Sequence, residues 1–145
     1  MPREMTRSTP IQRPLIGLLA LSLSLLQAGM HAAPNASSVA PGIWGGEHII
    51  LEVSGKGAEA EFDCAHGQVT QRITLDRHGD FDVAGTFTAE HGGPVLRDEN
   101  SRSTPARYSG HVDGDTMSLA VTVGKEKVGI FTLTQGSHPM LRKCR

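Results

Sequence analysis

The chain has 145 residues, with 14 Lys and Arg against 15 Asp and Glu, a formal net charge of −1 and 38% hydrophobic residues. That length fits one domain behind a leader. The even charge argues against nucleic acid as a partner, since phosphate binding wants a basic face.

Arg3, Arg7 and Arg13 precede the apolar run Leu15 to Leu26, and the small-residue stretch Gln27 to Ala33 follows it. A basic start, a short apolar middle and a small-residue end predict a secretory signal over 1–33. The apolar run is shorter than the roughly 20 residues of a membrane-spanning helix. A secreted or periplasmic location without stable membrane insertion is therefore expected. Removal of the leader leaves eleven basic against fourteen acidic residues, a net of −3. A flexible tail is expected over 34–41, with the glycosylation sequon Asn35-Ala36-Ser37, and a single domain over 42–145.

From Trp44 onward apolar residues recur at every second position, the period of a half-buried strand. The first strand is expected from Trp44 through Ile49, Leu51 and Val53, and the second from Ala58 to Cys64. Val69, Ile73 and Leu75 mark the third, Phe81 to Ala89 the fourth, Tyr108 to Val112 the fifth and Met117 to Val123 the sixth. Val128 to Thr134 and His138 to Cys144 complete the set. Glycine-containing turns separate them, among them Gly55-Lys56-Gly57, Ala65-His66-Gly67 and Asp113-Gly114-Asp115. Short strands joined this way predict an all-β, antiparallel up-and-down meander. Closure into an eight-stranded barrel would remove its exposed edges. The alternation places Phe62, Phe81, Val83, Phe87, Leu119 and Val121 inside, with Glu59, Glu61, Thr86 and Ser118 outside.

Cys64 and Cys144 are the only two cysteines, and in an oxidising compartment such a pair forms a structural disulfide. With the strands above, Trp44, Cys64 and Cys144 fall on one rim. The cysteines then flank the first strand at about 10 Å, whereas bridged Cα atoms sit about 5.5 Å apart. The last residues must cross beneath that strand. The long connection from His91 to Pro105 opens on the same rim. The acid-rich half, Glu47 to Glu99, and the mostly basic half, Arg102 to Arg145, are expected to attract each other.

Signals for chemistry are few. His91-Gly92-Gly93 has the composition of an esterase oxyanion loop, but no Gly-x-Ser-x-Gly elbow accompanies it, so it reads as the stop of a strand. Asp76 to Asp82 lacks the glycine and distant glutamate of a calcium loop and reads as a turn. No histidines stand at His-x-His or His-x-x-x-His spacing, so no metal site is assigned. His66 and His91 are expected on one rim, as candidate binding residues. No catalytic residues and no cofactor are expected.

Gly42-Ile43-Trp44 at the start of the first strand resembles the Gly-x-Trp signature of lipocalins and the wider calycin group. The resemblance covers that motif, one Arg and the barrel architecture. It implies that Trp44 plugs one barrel end and that Arg142 packs over it by a cation–π contact. It also implies a non-catalytic binding protein for a small apolar ligand or a protein, held at an end or rim by Trp44, His66, His91 and Arg142. A monomer is expected. A second resemblance is to small bacterial metalloprotease inhibitors, which are exported barrels with one disulfide. It implies an exported inhibitor acting through the tail Pro34 to Pro41 or a rim loop.

Overall fold

The computed structural model describes residues 37–93 and 102–144. The expected signal, the sequon's Asn35 and the middle of the long connection lie outside the described residues. Eight antiparallel strands follow one another round a closed barrel. They are β1 Gly42–Gly46, β2 Ile49–Val53, β3 Ala58–Phe62, β4 Ala65–Val69, β5 Asp80–Ala89, β6 Thr104–Asp113, β7 Thr116–Val123 and β8 Glu126–Gln135. No helix among the described residues is long and apolar enough to cross a membrane.

The number of strands agrees with the sequence reading, but three assignments change. The expected first strand folds back on itself at Glu47-His48, where His48 has a positive φ of 69°, and becomes the β1–β2 hairpin. Trp44 and Ile49 both point inward although they are an odd number of residues apart, which an unbroken strand cannot do. The strand expected at Val69 to Leu75 is instead β4, Ala65–Val69, so Gly67 lies inside a strand rather than in a turn. His138 to Cys144 forms no strand, and β8 closes the barrel against β1 through Trp44↔Gln135, Gly45↔Thr134 and Gly46↔Leu133.

The inward register is the expected one except at the end of β5, where Thr88 is buried and Ala89 exposed, the reverse of the expected alternation. Phe62, Phe81, Val83, Leu119 and Val121 are buried and Phe87 is half-buried, while Glu59, Glu61 and Ser118 are exposed and Thr86 is half-exposed. Aromatic rings fill the interior by lying over glycines of the barrel wall. A Cβ on Gly67 would collide with the Tyr108 hydroxyl, and one on Gly85 would meet the Tyr108 ring at 2.8 Å. Phe81 covers Gly110 in the same way, and Phe131 covers Gly129. The Tyr108 hydroxyl donates to Thr86 O at 2.7 Å, and burial pushes the phenol pKa up to about 12.

One barrel end, the tail end, carries the β2–β3, β4–β5 and β6–β7 connections; the other, the disulfide end, carries β1–β2, β3–β4, β5–β6 and β7–β8. Trp44 belongs to the tail end. It is fully buried, and its indole N–H donates to Ala40 O at 3.0 Å. Part of the expected flexible tail is docked there. The Val39 N–H donates to Ile73 O at 3.0 Å, the Leu75 N–H donates to Ser37 O at 2.7 Å, and the Val39 and Ile73 side chains are buried. The placement of Trp44 on the disulfide rim is thereby corrected: splitting the first strand reverses its direction relative to Cys64.

Arg142 does not cover the indole. It is exposed at the disulfide end, outside the barrel, and its backbone N–H donates to Asp63 Oδ1 at 2.8 Å. Urea melts test this separation. Trp44→Ala is expected to cost about 3–5 kcal/mol, as large aromatic truncations in cores do. Arg142→Ala should stay within about 0.5 kcal/mol, and the double mutant should be additive. A coupling between the two residues would contradict the geometry.

Candidate binding surface at the disulfide end

After β8 the chain turns at Gly136, where φ is 79°, and runs back along the barrel as a strap. Its start is fixed by the Gly136 N–H donating to Ile43 O at 2.7 Å. The strap then crosses the outer face of β1. Trp44 points inward, so Gly45 points outward, and a Cβ there would collide with Ser137 O and Pro139. Glycine at position 45 is what lets the strap lie flat.

At the disulfide end the strap meets the β3–β4 turn. Cys144 is bonded to Cys64 with Cα atoms 5.2 Å apart. The crossing expected from the strand count is present, over the face of β1 rather than beneath its end. Lys143 Nζ donates to Phe62 O at 3.0 Å, pairs with Glu61 at 2.5 Å and approaches Glu90 at 3.6 Å. His48 Nδ1 lies 2.6 Å from Asp63 Oδ2, and His66 Nδ1 lies 2.8 Å from Glu90 Oε1. The attraction between the acidic and basic halves is thus realised at Lys143, and again at Arg107, which pairs with Asp82 at 2.6 Å.

These contacts set the titration of two carboxyls. The Arg142 N–H, more than the His48 ring, holds Asp63 below its ordinary 3.8, against partial desolvation. The His66 ring, followed by the Lys143 charge, holds Glu90 below 4.5 against the same opposition. Both act as acceptors only, on the outside of the barrel.

Inside the ring of turns lies the barrel mouth. Phe62 packs edge-on against Phe87 with centroids 5.4 Å apart and tilted against Phe131 at 5.6 Å. With Val128, Ala65 and the flanking His48 they line a shallow depression of about 240 Å³. Its floor is the packed core. The surface can hold an apolar side chain but not enclose a ligand.

Of the expected binding residues, His66, His91 and Arg142 share the disulfide end and Trp44 does not. His91 follows the end of β5, its ring nitrogen 3.1 Å from Gly92 O, and Gly93 has a φ of 101°. His91-Gly92-Gly93 is where a strand stops. Asp76 Oδ1 accepts the N–H groups of His78 at 2.7 Å and Asp80 at 3.0 Å, which makes that segment a turn. Among the described residues no group of three His, Cys, Asp or Glu is placed to hold a metal, and no cysteine is free. Sequence reading missed Phe131, Val128 and the Asp63 bridge. The aromatic residues carried a signal, since inward positions at strand ends must line a mouth. Comparison with known protein families, with curated proteins and with solved structures returns no match.

The lowered pKa values fix the sign of an acid effect. A carboxyl depressed in the folded state stabilises above its unfolded pKa and loses that contribution as pH falls through the folded value. Asp63 and Glu90 therefore contribute fully to stability above about pH 4.5 and lose that contribution as pH falls through their lowered values, while the disulfide keeps the strap attached. Thermal melts across pH 2 to 6 (roughly the carboxylate range) should show a shallower acid-side slope for Asp63→Asn than for the parent protein. Identical slopes would remove Asp63 from the account.

Proposed function

We propose that this is an exported, non-catalytic binding protein that takes an apolar side chain of a protein partner at its disulfide end. The observation that carries the reading is the pairing of a filled interior with an apolar mouth. Tyr108, Met117, Leu133 and Trp44 are fully buried side chains of the barrel interior, while Phe87, Phe131 and Val128 stay partly open to solvent. Exposed apolar surface rimmed by polar groups marks interaction sites. Export is supported by the leader-like composition of 1–33 and by the disulfide, which persists in oxidising compartments. The lipocalin likeness is supported by the closed barrel and by a buried Trp44 in Gly42-Ile43-Trp44. It does not extend to a ligand-holding calyx. Inhibition through an inserted tail is disfavoured, because residues from Ser37 onward are bonded to the barrel.

A photo-crosslinking residue at position 128 in the exported protein is expected to capture a protein, while the same residue at the outward position 118 is not. Equal capture, or none, would reject the rim as the site. A native mass carrying an added small molecule would favour an enclosed ligand instead. The exported chain should begin near Pro34 with its disulfide closed.

A further inference from the structure

β8 is twice as long as β1 and is paired with it over only Leu133–Gln135. The preceding residues, Glu126–Thr132, pair with β7 on one side. On the other side, among the described residues, Glu126–Phe131 meet no ladder partner, while the Thr132 carbonyl lies against Gly46. The barrel's stagger creates a matching overhang at the tail end, where β5 runs past β4 over Asp80–Gly85. There the chain covers its own edge: the Asp76 N–H donates to Asp80 O at 2.9 Å. The two overhangs are treated differently, and the open one borders the apolar mouth. Two of the three exposed large hydrophobic residues, Val128 and Ile130, sit on it.

Resting on the reading above, we propose that this edge binds an extended, acidic segment of the partner protein as an added strand, with one apolar side chain in the mouth. Unpaired N–H and C=O groups along a strand edge are satisfied by another extended backbone, and an adjoining pocket for a side chain supplies selectivity. Charge chooses the kind of segment. Three acidic groups near the mouth are occupied, Asp63 by His48 and the Arg142 N–H, Glu61 by Lys143 and Glu90 by His66, while Glu126 at the start of the edge is outnumbered by its neighbours Lys125 and Lys127. The side chains of Lys125, Lys127 and Arg142 make no ion pair among the described residues. Lys127 and the register shift opposite Val121 guard the first residues of the edge against unselective pairing. Gly129–Phe131 have no such guard, so a segment with carboxylates opposite the lysines would pair there.

The test uses the intact exported protein and two sets of fluorescent nonapeptides, read by anisotropy. Both sets carry one central Leu, Val or Phe in an extended, Thr-rich frame; one is flanked by Asp and Glu, the other by Lys. The acidic set is expected to bind, and to weaken by about tenfold or more when alternate peptide amides are N-methylated. Lys125→Glu with Lys127→Glu should reverse the preference without moving the melting temperature, since both side chains are exposed. Binding that ignores N-methylation, equal binding of the two sets, or no binding would each overturn the proposal. So would a dimer of the protein itself that Ile130→Asp dissociates, because the edge would then belong to a second copy. Capture of a protein at position 128 without peptide binding would leave the rim as the site and remove the added strand alone.

Discussion

Tyr108 occupies the volume that Gly67 and Gly85 leave empty, and that fit governs much of what the barrel can be. Eight strands enclose an interior that side chains just fill. A ring reaching across it needs neighbours without Cβ atoms, and Gly67 and Gly85 supply them from β4 and β5. Phe81 over Gly110 repeats the arrangement. These rings take up much of the barrel interior, and Trp44, Val39 and Ile73 are buried at the tail end. At the disulfide end Phe87, Phe131 and Val128 stay partly open to solvent.

Closure has a geometric consequence. β1 to β4 have five residues each, whereas β5 to β8 have eight to ten. Long strands beside short ones must overhang, once at the β4–β5 junction and once at β8–β1. The chain spends its β4–β5 connection and its N-terminal residues on the first. The C-terminal strap is committed elsewhere, lying over β1 and ending at Cys64. It braces the wall of the mouth opposite β8 and leaves the β8 edge clear.

What could be read in the sequence follows from how local each cause is. Alternation is a local steric property of a strand, so the inward set from Phe62 to Val121 was legible. The fold-back at Glu47-His48 was legible too, as the change of phase between Trp44 and Ile49, although an unbroken strand was expected there. Gly67 was misread because glycine serves both turns and crowded interiors. Only Tyr108, distant in sequence, shows which role applies. His138 to Cys144 was read as a strand because its alternation is real: Pro139 and Leu141 are half-buried while His138, Met140 and Arg142 are exposed. A segment lying flat on a surface alternates as a strand does, and Pro139 has no N–H to give a ladder. The binding candidates fared unevenly for the same reason. His66 and His91 were placed by turn parity, which held for them. Trp44 was assigned to the wrong end once its strand was taken as one piece.

Magnitudes decide what holds the strap. Lys143 and its carboxylates are half-exposed, and exposed pairs contribute about 0–1 kcal/mol. The disulfide closes a loop with a sequence separation of 80, which in the chain-entropy model is worth about 4.5 kcal/mol. The covalent bond therefore fixes the strap, and the ion pairs with the Asp63 bridge set its position along the β3–β4 turn. That division matters at the mouth. Phe62 ends β3 and Cys64 lies in the turn that follows, so this corner is held from outside by the strap and from inside by the Phe62 contacts with Phe87 and Phe131. The rim beside the shallow apolar depression is thus anchored on both faces.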